Sequence, residues 1–378
     1  MKYTILLIFM SMSLHIIAQE DNPFSILYKN MYFNAYIELT ENEGKFTGNK
    51  FEDSYLEALG TLNSFIGKYD KAIEYYTIRN KKKGYIPDKL KQIDLSDFGI
   101  KQDVLNDLYK TYNVTMFNES HHFSQHRAFI YSQLEILKSL GYNQLALETL
   151  NEKDSSLCER NYPIKKTGYY TNDPVYGNVI RKALEIGFIL IPYDSRDRDR
   201  EKGQADNIFK QYDPEKGKLI IYGGYGHIAE TGDLKMMGQY LKNMLNEDVL
   251  SISQFTHYRF EPVFPSDSIY DFFLQKDSTN YFDYFFYAKP KPSVLNIPYW
   301  YNWMNFKTKP LNEIYNKPIN YPTLIQIHNL NEPNGIPVYQ YLIKEEEENV
   351  LIAYPKKGEY TLKIIDKSGE TEYKIKVQ

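Results

Sequence analysis

Cysteine is almost absent from this 378-residue chain: Cys158 stands alone, so no intramolecular disulfide can form and stability must come from core packing. Its neighbours Ser155-Ser156-Leu157 bring no positive charge that would lower a thiol pKa, which argues against a thiol catalyst. Tryptophan is scarce too, with 2 residues against 36 Tyr and 21 Phe, so the large rings are mostly amphipathic ones. Neither charge sign dominates: 45 Lys+Arg face 49 Asp+Glu, a formal net charge of −4. The basic clusters Lys81-Lys82-Lys83 and Lys165-Lys166 are short, so no nucleic acid partner is expected. Beyond the N-terminus no window approaches the roughly 20 apolar residues of a membrane span, and no transmembrane segment is expected in the mature chain. The sequence also lacks a Walker-type lysine loop, a Gly-x-Ser-x-Gly elbow and a His-Glu-x-x-His helix, which disfavours the enzyme classes built on them.

The first eighteen residues combine Lys2, an apolar stretch from Ile5 to Met10 continued by Leu14-His15-Ile16-Ile17, and small Ala18 before Gln19-Glu20-Asp21. This pattern reads as a signal peptide over 1–18, cleaved near Ala18 to leave a periplasmic or extracellular protein. No cysteine follows it to carry a lipid. Asn113 and Asn118 stand in Asn-x-Ser/Thr acceptor contexts, and a glycan on Asn118 would obstruct the site described next.

Residues 19–99 are expected to form an N-terminal helical region. Gly67 to Tyr76 within it resembles half of a tetratricopeptide-repeat hairpin, but one copy does not make an array. The hairpin is expected to pack on the main domain, with docking of a protein or peptide partner as the alternative. From 100 to 320 the spacing predicts an α/β domain with a mostly parallel sheet flanked by helices. Its expected strands centre on 114–117, 145–147, 188–193, 219–222 and 249–253. Helices are expected over 124–140, 174–186, 199–211 and 233–245, with Gly141 and Gly187 closing the first two. The aromatic segments Tyr281–Tyr287 and Tyr299–Trp303 are expected to cover a sheet edge, or else to wall a cleft. Residues 321–378 alternate apolar and polar residues around the Asp366-Lys367-Ser368-Gly369 turn and predict a small all-β module.

Four of the expected strands end in polar residues, and open α/β sheets bind ligands beyond the carboxyl ends of their strands. Asn118-Glu119-Ser120-His121-His122 follows the first. Glu119 and His121 are one residue apart, so in an extended strand exit both point to one side, where a carboxylate orients an imidazole as a general base. His122 faces the other way, and His126 is expected to be a surface or capping residue. Glu148 ends the second strand, where an apolar setting requires a cleft, a proton or a partner arginine. The third runs into Asp194 and the charged stretch that contains Arg200 and Glu201. The fourth leads to Gly223-Gly224-Tyr225-Gly226-His227, a turn that lets backbone approach a ligand closely before presenting an imidazole. His121, Glu148 and His227 are also a conceivable metal set.

The ordered combination resembles the erythromycin esterase, ChaN and Tiki superfamily over about residues 100 to 260: an acidic-x-His after the first strand, Ala146-Leu147-Glu148, Arg200-Glu201 with Ala205 and Asn207-Ile208, then Gly-x-Gly-His. The resemblance implies an α/β fold with a strand-end cleft, in a group containing hydrolases and haem binders. It carries over Glu119, His121, Glu148, Arg200, Glu201 and His227 as site residues. Asn118 stands where the pattern has glycine, and His122 where small residues are common, so macrolide esterase activity does not follow. The leading expectation is an exported hydrolase of an ester or amide in a small-molecule or peptide substrate, with water activated by His121. The alternatives are a haem- or metal-binding protein using these histidines with Tyr222 or Tyr225, and a noncatalytic interaction protein using the hairpin and tail.

Overall fold

The computed structural model describes residues 22–254, 260–345 and 349–377. The signal segment expected over 1–18 lies outside the described residues. In chain order the strands are β1 (Lys91–Asp94), β2 (Gly99–Ile100), β3 (Val114–Glu119), β4 (Tyr142–Leu147), β5 (Ile189–Pro192), β6 (Lys218–Gly224), β7 (Leu250–Ser253) and β8 (Phe260–Val263). They continue as β9 (Phe272–Lys276), β10 (Tyr284–Ala288), β11 (Lys307–Pro310), β12 (Thr323–Asn329), β13 (Tyr339–Ile343), β14 (Leu351–Tyr354), β15 (Gly358–Asp366) and β16 (Gly369–Val377).

The architecture is α/β, with an eight-stranded sheet in the order β2-β9-β10-β7-β3-β6-β4-β5. From β10 to β5 neighbouring strands are parallel, whereas β9 pairs antiparallel with both β10 and β2. The sheet is therefore mixed, and the expectation of a mostly parallel sheet holds only for the section from β10 to β5. The aromatic run 281–287 extends the sheet as β10 instead of merely covering its edge. Phe285, Phe286 and Tyr287 are all buried, so no apolar-polar alternation marks the strand.

The alternation of side chains along the strands divides the core in two. Phe117, Leu145, Leu147, Ile220 and Tyr222 point to the face covered by helices Gln102–Thr111, Ser124–Ser139 and Pro174–Glu185. Val114, Met116, Ala146, Leu219 and Ile221 point to the opposite face, under helices Arg200–Gln211 and Met237–Leu245. Each large apolar side chain buried this way contributes about 1.5–3 kcal/mol before entropy is counted. Gly141 and Gly187 have φ of 91° and 82°, the left-handed geometry that ends the two helices before β4 and β5.

The tail forms a four-stranded antiparallel sheet, β13-β12-β15-β16, while β14 pairs with β11. One face of the tail shares a core with Trp300, Tyr301 and Met304 of the 3-10 helix Tyr299–Met304. On the other, Leu324 and Leu342 pack with the N-terminal helices Pro23–Asn30, Tyr32–Glu41 and Glu52–Phe65. The hairpin formed by Glu52–Phe65 and Tyr69–Lys82 also meets the α/β unit: Tyr76 stacks on His122 with ring centroids 3.6 Å apart.

His328 on β12 provides a test of the tail. Burial pushes its imidazole down to about 4, and the nearby cations Lys363 and Arg181 act the same way; the Gly335 carbonyl and Glu372 only partly oppose this. The folded protein thus prefers neutral His328. Its contribution to stability is complete above the unfolded value of about 6.5, declines as pH falls and is gone below about 4. Denaturant titrations should show a loss approaching roughly 3 kcal/mol across that window, and His328→Gln should lack this component. An identical pH dependence in the two proteins would contradict the assignment.

Candidate active site

The same alternation that divides the core sends the two strand-end carboxylates to opposite faces. Glu119 continues the row of Thr115 and Phe117, toward helix Ser124–Ser139. Its carboxylate accepts from Arg127 Nε at 2.8 Å and Nη2 at 2.8 Å, and from the Tyr222 hydroxyl at 2.8 Å. Arg127 is fully buried and also donates to Asp173 Oδ2 at 2.5 Å and to the His121 carbonyl at 2.6 Å. Burial alone would raise the Glu119 pKa, but the Arg127 charge and hydrogen bonds, with His121, hold it well below the usual carboxylate range. Asp173, also the N-cap of helix Pro174–Glu185, is more expensive to ionise: burial raises its pKa despite Arg127 and the Ser124 hydroxyl.

His121 Nδ1 lies 2.8 Å from Glu119 Oε1. Because Glu119 is ionised it can only accept, so Nδ1 carries a proton, and in the neutral ring the lone pair lies on Nε2. Tyr170 stacks on the ring at 3.9 Å, and the ring of Tyr225 meets it edge-on at 4.9 Å. Tyr225 adopts the left-handed φ of 44°, held by its N–H on the Glu119 carbonyl at 2.7 Å and by Asn118 Nδ2 on its own carbonyl at 2.6 Å. A Cβ on Gly224 would collide with His121 Cε1, and would lie 2.6 Å from Nε2 and 3.2 Å from Glu148 Oε2. The missing side chain therefore lets the His121 ring lean across β6 toward Glu148. A Cβ on Gly223 would sit 2.5 Å from the Tyr193 hydroxyl, so both glycines are required by close approach.

Glu148 continues the row of Ala146 toward helix Arg200–Gln211. Its Oε1 accepts from Arg200 Nη2 at 2.6 Å and its Oε2 from the Gly224 N–H at 2.6 Å. Burial raises its pKa, but His227, His121 and Arg200 together bring it below the ordinary value, so it serves as a carboxylate and not as a proton donor. Arg200 also reaches Asp194 Oδ1 at 2.7 Å, and its Nη1 lies 3.2 Å from His227 Nε2, which accepts from it only while the imidazole is neutral; Glu148 Oε1 lies 3.5 Å from the same nitrogen. His227 Nδ1 lies 2.7 Å from Glu201 Oε1, while Glu201 Oε2 accepts the Met237 N–H at 2.9 Å at the start of helix Met237–Leu245. Burial lowers the His227 pKa, but Glu201 and Glu148 outweigh it and the net direction is upward.

The six residues singled out from the sequence thus form two linked groups, Glu119 with His121 and Glu148 with Arg200, His227 and Glu201. Glu201 touches the machinery through His227, which it orients. The structure adds Arg127, Asp173, Tyr170 and Tyr76. Arg127 carried a readable signal: a cation spaced with Ile130, Leu134 and Leu137 on the apolar face of a helix. His126 is buried, not superficial, and its Nδ1 accepts the Ser120 N–H at 3.1 Å. Asn118 is buried and bonded to Ser253 and Gln254, so in the folded protein it is closed to glycosylation. Cys158 is exposed on a short helix away from these groups.

Arg200 stands within hydrogen-bond reach of both Glu148 and His227, and no three metal-binding side chains converge among the described residues. As arranged, His121, Glu148 and His227 do not fit a divalent cation. Of the groups that could hold a haem iron, the Tyr222 hydroxyl is committed to Glu119 and both His227 nitrogens are engaged, whereas His121 is engaged through Nδ1. A cleft of about 950 Å³ opens over Glu148 and Arg200, walled by Tyr169, Tyr170, Tyr193 and Asp194. No protein-family model matches the chain, and neither a curated protein nor a solved structure matches it.

Burial decides what each arginine is worth. Arg127→Met leaves two carboxylates buried without their cation and should destabilise the fold by about 3–5 kcal/mol, whereas exposed pairs are worth only about 0–1 kcal/mol. Arg200, with 40% of its side chain exposed, should cost far less when changed to Met. Equal midpoints for the two variants in urea would refute this ordering.

Proposed function

We propose that the chain is a hydrolase that cleaves an ester or amide by activating water at the His121 Nε2 lone pair. The observation that carries this reading is the Arg127-Glu119-His121 relay. A permanently ionised carboxylate fixes the imidazole tautomer and stabilises the imidazolium that forms when water is deprotonated. Glu148 lies across Gly224 from His121 and serves to orient that water as an acceptor. Arg200, half exposed on the cleft floor, is placed to stabilise a developing oxyanion. His227, whose pKa is raised, is the group suited to return a proton to the leaving atom, and Glu201 keeps its ring in place.

A place in the erythromycin esterase, ChaN and Tiki superfamily belongs to the same proposal. So does export after cleavage near Ala18, to the periplasm or beyond. Among the described residues no helix is long and apolar enough to cross a membrane.

In a screen of ester and amide libraries, His121→Ala should lower kcat by about 10²–10⁴-fold while circular dichroism and melting stay those of the parent protein. Full activity in the folded variant would end the hypothesis. Activity should extend to pH values above the ordinary histidine pKa of about 6.5 before its alkaline limb falls, because His227 holds its proton longer. His227→Gln should abolish that limb.

A further inference from the structure

The cleft has a charge and a shape that the hydrolytic machinery does not use. Among its lining carboxylates, Glu148 and Asp194 are both paired to Arg200. Four other cations, Lys153, Lys165, Lys166 and Arg196, then face two carboxylates, Glu152 and Asp197. Lys153, Lys165 and Arg196 make no ion pair among the described residues, and Lys166 only approaches Asp154 at 4.0 Å. Over the whole lining five cations stand against four carboxylates, so in a chain of net charge −4 the mouth of the site is slightly positive, and three of its cations are left without an ion pair among the described residues.

The cleft also continues. A second pocket of about 260 Å³, between the N-terminal helices and His328 of β12, shares Met31, Lys165 and Asn172 with it. The two adjoin at these residues and together form the candidate groove. Along it lie the paired rings of Tyr28 and Tyr169, 4.7 Å apart, with Tyr28 57% exposed. Amide side chains of Asn151, Asn207 and Gln211 line the same walls. Rings and amides suit hydroxyl-bearing units, and Met31, Leu150 and Pro192 are the few aliphatic side chains of the lining.

We infer that the groove takes an acidic oligosaccharide, several units long, whose carboxylates lie on Lys165, Lys153 and Arg196 and whose esterified or amidated unit reaches the floor at Glu148 and Arg200. The position of the reacting unit rests on the hydrolase reading; the binding does not.

Isothermal titration with tetragalacturonate, maltotetraose and tetraglutamate separates the two. Tetragalacturonate should bind, more weakly as salt is raised, and at least tenfold more tightly than either other probe. The exposed substitutions Lys165→Glu and Arg196→Glu should each weaken it at least tenfold with melting unchanged, and His121→Ala should bind it as the parent does. Absence of tetragalacturonate binding, equal binding of maltotetraose, or indifference to both charge reversals would overturn the inference. Tighter binding of tetraglutamate would do so too, assigning the groove to acidic peptides. Binding as expected by a protein whose His121→Ala variant keeps its turnover would sink the hydrolase reading and leave the acidic groove standing.

Discussion

The guanidinium of Arg127, sealed between Glu119 and Asp173, is the interaction on which the rest of the site depends. A cation with no exposed side-chain surface is tolerable only because two carboxylates and a carbonyl meet its N–H groups. Those bonds tie the end of β3 to the helix that follows it and to the cap of a helix about fifty residues later. They also keep Glu119 ionised, which in turn decides which nitrogen of His121 carries a proton. Packing and electrostatics share one charge balance here: removing the guanidinium would unsettle the core and the hydrogen bond that orients His121 together.

Period-two alternation distributes the remaining groups. Glu119 and Glu148 sit at the ends of strands separated by β6, yet their positions along the alternation send one toward Arg127 and the other toward Arg200. The absence of a side chain at Gly224 opens the space through which His121 approaches Glu148, and Gly223 makes room for Tyr193. The glycines of the Gly223–Gly226 turn therefore act through close approach. The residue in that turn with a positive φ is Tyr225, whose ring flanks His121.

Distant parts of the chain complete the surroundings. Tyr76 of the N-terminal hairpin lies flat on His122 directly beside the relay, and Tyr32 donates to the Asn172 carbonyl at 3.0 Å on the cleft wall. Leu324 and Leu342 of the tail sheet bury the same helices from behind. The hairpin that resembles a repeat unit is thus occupied by packing on at least two neighbours. This satisfies the need of such a unit for a partner surface without an array.

Five strands of the central sheet and four of its helices were legible in the sequence because buried parallel strands read as short apolar runs between amphipathic helices. The tail strands were legible from alternation and a tight turn. The six polar residues stood out because charges and imidazoles at the end of an apolar run have few structural excuses. By itself, then, the sequence determined the α/β pattern, the β tail and the chemical inventory of the site. Tertiary structure alone decided that the sheet continues past β7 through β10, parallel to it, and then through β9 and β2 in antiparallel pairings, since the buried run of β10 carries no periodic mark. It also decided that Arg127 joins Glu119 to Asp173, that Arg200 joins Glu148 to His227, and that Tyr170 and Tyr76 flank the histidines. Pairings of this kind depend on distances between segments far apart along the chain, which local pattern does not encode.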